Sequence, residues 1–469
     1  MTIIGNAGAT ARATVDPYGL VTPWGRGWSL DWWIGADDRW HLPEREATAR
    51  QTLIGNAPVV ETRVRIPGGD AVQRAYGARD AQGDEHVVVE IENASRAPIA
   101  LALVFRDAIE VEDNVVRAGR RIVAVLPRKP ARAASGRDAE QVVTSGQAGE
   151  LAGPLSAPAV LVFPLAHTAS MRVVLPIGGQ VPAALPSAEQ VAAGWARFTE
   201  RGTQLSVPDS GLMDDVQATR AQLLLETGRG RRSGIPEVVA LDAEGFHDEA
   251  ARILRALNEQ PTPRRGDEDL FQAAVRHWQV TRDGDLAEDM LPLLGQLARR
   301  IAKRDGTAWL LKGFADLLDG IGQPKAARAV RPGDFGWIRS HPGGWEGFAA
   351  HRTAGGTELL AALRVRLLFE SIAPHLAVLP AGLGPWDRQP VELHRAPTAF
   401  GPFSFALRWH GDRPALLWDL DAHEGVGPVE ITAPGLVRGW SSDARKGEEL
   451  LSASRDDGDG PIDPGGSFT

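Results

Sequence analysis

Apolar positions along this 469-residue chain change their period once. Up to about residue 190 they alternate in short β-branched runs broken by Gly, Pro and Asn, as in strands with one buried face. Beyond Trp195 they recur at steps of three and four, as in amphipathic helices. Residues 58–66 predict a strand that ends at the turn Pro67-Gly68-Gly69-Asp70. Residues 87–91 and 99–105, joined by a turn over 93–98, predict a hairpin. Further strands are expected at 115–116, 121–126, 159–163 and 171–175, so residues 1–190 read as a β-sandwich. The polar, Ala- and Gly-rich stretch 128–153 predicts a long loop.

Asp209, after Pro208, is placed to cap a helix carrying Leu212, Val216, Thr219 and Leu223. A second helix carries Phe246, Ala250, Ile253 and Leu257 and is stopped by Pro261-Thr262-Pro263. Asp267 opens a third with Leu270, Phe271, Ala274, Val275 and Trp278; Leu286, Met290, Leu293, Leu297 and Ile301 mark a fourth. Residues 309–321 give a fifth, and Leu359, Leu360, Leu363, Leu367 and Ile372 a sixth, across a Gly- and Trp-rich loop over 331–356. Short connections favour antiparallel αα-hairpins. Strand chemistry returns at 404–409 and 415–420, a second expected hairpin. The chain ends in an Asp/Gly/Pro/Ser-rich flexible tail; its likeness to a calcium loop at 457–463 is spoiled by Pro461 and by the lack of a closing Glu. The expected fold class is multidomain β plus α: a sandwich over 1–190, an αα-hairpin domain over 191–375, a small β-rich segment over 376–453 and the tail over 454–469.

An apolar content of 43% is enough for substantial cores. With 51 basic and 60 acidic residues the formal charge is −9, which argues against nucleic acid or an anionic membrane as general partners. No signal-like segment opens the chain and no apolar run is long enough to span a bilayer, so the expectation is a soluble, cytoplasmic protein. The absence of cysteine removes disulfides, thiolate zinc sites and cysteine nucleophiles. No dense His/Asp/Glu cluster, phosphate loop, dinucleotide fingerprint or Gly-x-Ser-x-Gly elbow is present, and no metal or cofactor is expected.

Sandwich, connecting helix, αα-hairpins and β cap follow one another in an order similar to the six-hairpin glycosidases, the (α/α)6 toroid group with glucoamylase-like and glycogen-debranching-like members. The resemblance is carried by Leu205-Ser206-Val207-Pro208-Asp209, by Gly245-Phe246-His247-Asp248-Glu249-Ala250 and by Trp278-Gln279-Val280-Thr281-Arg282-Asp283-Gly284-Asp285. The look of Asp31-Trp32-Trp33-Ile34-Gly35-Ala36-Asp37-Asp38-Arg39-Trp40 with Arg408-Trp409-His410-Gly411 resembles uncharacterised actinobacterial relatives of the group. The chain departs from the group in length: residues 209–374 hold about six helices, half a full ring. The resemblance implies a carbohydrate-active protein whose acid and base sit in loops at one end of the toroid.

Inverting hydrolysis needs two carboxyl groups roughly 6.5–9.5 Å apart, one protonated and one ionised. Glu268 and Asp269, crowded beside Asp267 at a helix start, are candidates for the acid, against a reading as first-turn acids that complement the helix dipole. Glu346, in Gly343-Gly344-Trp345-Glu346-Gly347, is the candidate base, against a solvated loop acid. Trp33, Trp40 and Trp345 are candidate stacking platforms and Asp37 and His341 candidate hydroxyl partners, because sugars present C–H faces to indole and hydroxyls to polar groups. Fourteen Trp against two Tyr is unusual, but most of these Trp residues fit a core as well. The partner expected is an oligosaccharide or α-linked glucan. The alternatives are a catalytically inactive sugar-binding or assembly protein, and a homodimer in which a second copy completes the ring.

Overall fold

The computed structural model describes residues 1–9, 11–177, 184–227, 235–260, 267–304, 306–332, 345, 347–371 and 373–451. The chain divides into two compact units: Met1–Arg201 with Asp214–Glu237, and Gly202–Met213 with the chain from Val238 onward.

The first unit is built on two antiparallel sheets of eight strands each. One is centred on Leu30–Gly35, Ile99–Phe105 and Ala159–Leu165, the other on Val59–Ile66, Gly69–Arg79, Glu85–Ala94 and Ser170–Pro176. Period-2 alternation sends Trp32, Ile34, Leu103, Phe105 and Phe163 of the first sheet against Val64, Val87, Val89 and Ile91 of the second, forming the sandwich core. The opposite face of the first sheet carries Trp33, Ala102, Val104 and Val160, covered by a short helix α1 (Ala139–Thr144) through Ala139 and Val143. The stretch 128–153 is therefore not the loop expected: small apolar residues bury an edge strand, Arg132–Ser135, and then α1.

The hairpin expected from residues 87–91 and 99–105 does not form either. Glu85–Ala94 pairs with Gly69–Arg79 and Ser170–Pro176, while Ile99–Phe105 pairs with Leu30–Gly35 and Ala159–Leu165, so the chain crosses between sheets. Asn93, fully buried, supports the corner: its amide donates to the carbonyls of Ala97, Leu165 and Ala166 at 2.8, 3.2 and 3.1 Å. Its side-chain oxygen accepts from the Ser95 amide and hydroxyl. One side chain thus satisfies the backbone groups that a hairpin ladder would have paired. The helix α2 (Ala188–Thr199) follows, opened by a capping box between Ser187 and Gln190.

The helix α3 (Ser210–Glu226) starts in the second unit and continues into the first; Asp209 caps it by accepting from the Leu212 amide at 2.8 Å. The second unit then holds α4 (Ile235–Glu244) from Val238 onward, α5 (His247–Asn258), α6 (Asp267–Thr281), α7 (Gly284–Ile301), α8 (Ala308–Gly320), α9 (Pro324–Val330), α10 (Phe348–Ala354) and α11 (Gly356–Leu367). The six helices expected are all present, with α4, α9 and α10 in addition. The helix placed over Leu359 to Ile372 stops at Leu367: residues 368–370 form a strand against His375–Val378, and Ile372 lies outside the described residues. The 404–409/415–420 hairpin forms as Phe403–His410 and Arg413–Leu420 within a five-stranded sheet, with Gly411 in the left-handed conformation at its tip. The tail from residue 452, with the partial calcium loop, lies outside the described residues. Among those described, no helix is long and apolar enough to cross a membrane.

The sandwich sheets meet closely at two glycines. A Cβ on Gly77 would stand 2.4 Å from the Gly5 backbone, whereas one on Gly194, exposed within α2, would meet nothing within 4 Å. Gly77→Ala is expected to destabilise the protein by about 2 kcal/mol through overpacking. Gly194→Ala is expected to stabilise it by roughly 0.5–1 kcal/mol through helix propensity. Urea-unfolding midpoints of the two variants check both signs.

Candidate functional site

A polar face of α6 and one of α8 line a cavity of about 370 Å³ in the second unit. From α6 come Gln272, Arg276 and Gln279, spaced four and three residues apart, with Trp278 and, just past the helix end, Arg282. From α8 come Trp309, Lys312 and Asp316, with Leu310 and Gly313 beside them, while Phe314, Leu317 and Leu318 are buried away from the cavity lining. The strand Leu368–Glu370 delivers Glu370 and Ser371, and the loop before Phe403 delivers Ala399 and Phe400.

The electrostatic centre is a bidentate pair: Arg276 Nη1 and Nη2 donate to Glu370 Oε1 and Oε2 at 2.6 and 2.7 Å. The Ala399 amide adds a third hydrogen bond to Oε1 at 3.0 Å. Burial works against the Glu370 charge, but Arg276, the Ala399 amide and the Arg364 guanidinium outweigh it and hold the carboxyl below its ordinary range. Burial likewise works against Arg276, and Glu370 more than compensates. Arg364 has no such partner: burial brings it down to about 10, and although Nη2 donates to the Pro397 carbonyl at 2.6 Å, the buried Nη1 has no hydrogen-bond partner among the described residues. Lys312 donates to Asp316 at 2.6 Å, and Arg331 reaches the other oxygen of Asp316 at 3.2 Å.

Behind α6, Asp242 of α4 is buried and accepts from Nδ1 of both His247 and His277 at 2.9 Å, tying α4, α5 and α6 together. Trp278 is almost wholly buried and leaves an edge to the cavity, its ring so close to Gly320 that a Cβ there would stand 2.2 Å away. Trp309 is only half-buried and presents the larger aromatic surface.

The residues singled out from sequence lie elsewhere or at the rim. Glu268 and Asp269 occupy the first turn of α6; Glu268 pairs with Arg304 at 3.3 Å, and Asp269 is exposed, three residues before Gln272 on the same helical face. Glu346 and His341 lie outside the described residues. Trp345 is held structurally: its indole N–H donates to Gly382 at 3.0 Å, and its ring meets Trp386 and Phe348 edge-on at 4.6 and 5.3 Å. In the first unit, Trp33 is no open platform, because its ring is buried beneath α1 at 7% exposure. Trp40 packs half-buried over Gly35, and Asp37 is exposed in the adjoining turn. Asp31, in the same strand as Trp33, is pushed up by burial despite a 2.9 Å hydrogen bond from Arg106. Of the cavity residues, Trp278, Gln279 and Arg282 belong to a phrase already distinctive in sequence; Trp309, Lys312, Asp316 and Glu370 carried no signal beyond polar positions on or after a helix.

No family model and no curated protein matches the chain. Among solved structures, it is similar to a protein described as a kojibiose phosphorylase from the human microbiome, with 7% identity over 90% of this chain and 88% of the other and a TM-score of 0.44. It is also similar to a family GH92 α-mannosidase from Bacteroides thetaiotaomicron in complex with mannoimidazole, with 8% identity, 69% of this chain and 60% of that one covered, and a TM-score of 0.31. A second structure of the same mannosidase gives the same identity and TM-score, with 70% and 61% covered.

The pair Arg276–Glu370 makes stability depend on pH. Because the folded-state pKa of Glu370 is depressed, its contribution is complete above the unfolded-state pKa and is lost as pH falls through the folded-state value. Glu370→Gln is expected to cost about 3 kcal/mol at neutral pH by leaving Arg276 buried without its counter-charge. Unfolding curves against pH should show the difference shrinking below the ordinary glutamate range; a penalty independent of pH would contradict the ionised pair.

Proposed function

We propose that the chain is a carbohydrate-active protein that takes an α-linked oligosaccharide or glucan in the cavity between α6 and α8. The observation that carries this reading is the half-buried Trp309 indole lining the same cavity as the fixed, ionised Glu370 and the amides of Gln272 and Gln279. An indole covers the C–H face of a sugar ring, while an ionised carboxylate and amides exchange hydrogen bonds with its hydroxyls. Fixing Glu370 in advance removes the ordering cost that a mobile carboxylate would bring to binding.

Two chemistries are compatible with such a pocket. In the first, inverting hydrolysis, Glu268 or Asp269 supplies the proton and Glu346 activates water, with Asp269 at the end of the α6 face that lines the cavity. In the second, the protein binds sugar without cleaving it. The second is favoured by the charge state of the described lining: both of its carboxylates, Glu370 and Asp316, are paired with cations, and a general acid has to hold a proton.

Trp309→Ala is expected to weaken binding of a neutral α-linked oligosaccharide about tenfold, the worth of one stacking contact, measured at a temperature where circular dichroism shows the variant folded. Proton NMR with a panel of α- and β-linked oligosaccharides reads binding and cleavage together. Cleavage lost in Asp269→Asn and Glu346→Gln would establish the hydrolase; binding without turnover would establish the binding protein. No interaction with any saccharide of the panel would remove the reading.

A further inference from the structure

We infer that the cavity between α6 and α8 takes a saccharide bearing a negative charge, a uronate or a sugar phosphate, and that Arg282 is the residue that meets this charge. The inference rests on the carbohydrate reading and narrows its substrate class.

The first observation is a charge left over. The cavity is lined by three cationic side chains, Arg276, Arg282 and Lys312, and by two carboxylates, Glu370 and Asp316. Arg276 is taken by Glu370 and Lys312 by Asp316. Arg282 has no ion-pair partner among the described residues. Its guanidinium lies 4.2 Å from the Trp278 ring centroid and donates from Nη2 to the Ala399 carbonyl at 2.8 Å, while its buried Nε–H has no hydrogen-bond acceptor among the described residues. A buried donor on a cation with no acceptor is costly unless something supplies one.

The second observation is the backbone. Arg282 follows the last residue of α6 in the left-handed conformation, with φ of 59°. That is the position at which helices commonly end in glycine, and a long side chain there is strained. Glycine would serve the helix end better, so the side chain has to be accounted for by what it does beyond the helix.

The surroundings favour an anion over a neutral group. His423 is held toward its neutral form, first by burial and then by the Arg282 charge itself, so it adds no second cation and the positive charge here stays on Arg282. Burial also lowers Arg282, and the Asp316 carboxylate, already bonded to Lys312, offsets this only in part. Stacking on Trp278 fixes the guanidinium plane, which suits a bidentate contact with carboxylate or phosphate oxygens. A sugar seated on Trp309 would place its ring and its charged substituent within one cavity.

The alternative is that Arg282 only staples Trp278 to the loop at Ala399, and binding measurements on the full chain separate the two. D-glucuronate, glucose 6-phosphate, maltose and inorganic phosphate are titrated into wild type, Arg282→Gly and Arg282→Lys at two salt concentrations. Circular dichroism verifies folding, which Arg282→Gly should retain because glycine accepts the left-handed conformation. The expected result is that glucuronate or glucose 6-phosphate binds about tenfold more tightly than maltose, the size of one charge-assisted hydrogen bond. This preference should weaken with salt, vanish in Arg282→Gly with maltose affinity unchanged, and return in part in Arg282→Lys. Equal binding of anionic and neutral sugars, or equal losses for both in Arg282→Gly, would overturn the inference and leave the carbohydrate reading standing. Inorganic phosphate binding as tightly as glucose 6-phosphate would overturn the saccharide part. Failure of maltose and of both anionic sugars alike would remove the carbohydrate reading with it.

Discussion

A carboxylate taken out of water has to be answered by positive charge and hydrogen-bond donors, and the second unit is organised around that requirement at Glu370. Its partners come from different parts of the chain: Arg276 from α6 and the Ala399 amide from the loop before Phe403, with the Arg364 charge from α11 nearby. Once they converge, the strand after α11 is fixed against α6, and the polar faces of α6 and α8 enclose a cavity instead of facing bulk water. The same geometry sets the chemistry. Glu370 is locked in its ionised form, which suits acceptance of hydroxyl hydrogen bonds and is unsuited to donation of a proton.

The first unit obeys a different constraint, the alternation of side chains across a pleated sheet. Trp32 and Trp33 are adjacent in sequence and go to opposite faces, one into the sandwich core and the other beneath α1. A run of Trp and Asp that looks suited to sugar in sequence is thereby divided between two packing layers. Only its turn, with Asp37 and Asp38, reaches solvent, and there Asp38 contacts His41 at 3.0 Å.

The α6–α8 cavity contrasts with both. Its Trp309 and Phe400 are partly open, its carboxylates are spoken for, and one arginine is held in a strained conformation with a donor unmet among the described residues. Satisfied ion pairs build the walls, whereas the Arg282 guanidinium is held by Trp278 and the Ala399 carbonyl and has no acceptor for its Nε–H among the described residues.

The period of the apolar residues was enough to divide the chain into strand-rich and helical parts, and to place α3, α5, α6, α7 and α8 and the Phe403–His410/Arg413–Leu420 hairpin. Burial of one face leaves a local periodic trace, so those elements were legible. Strand partners were not: residues 87–91 and 99–105 looked like a hairpin because nothing local distinguishes a turn within a sheet from a corner between sheets. The carboxylates at the start of α6 stood out in sequence because they are adjacent, whereas Glu370 drew no notice because its partner Arg276 is 94 residues away. The stripe of Trp309, Lys312 and Asp316 reads as an ordinary solvated helix face until another wall stands opposite it. The sequence by itself determined the two kinds of secondary structure and the absence of thiol chemistry, through periodicity and composition. Only the tertiary structure decided which polar groups share a site, because long-range pairing of buried charges leaves no mark on local pattern.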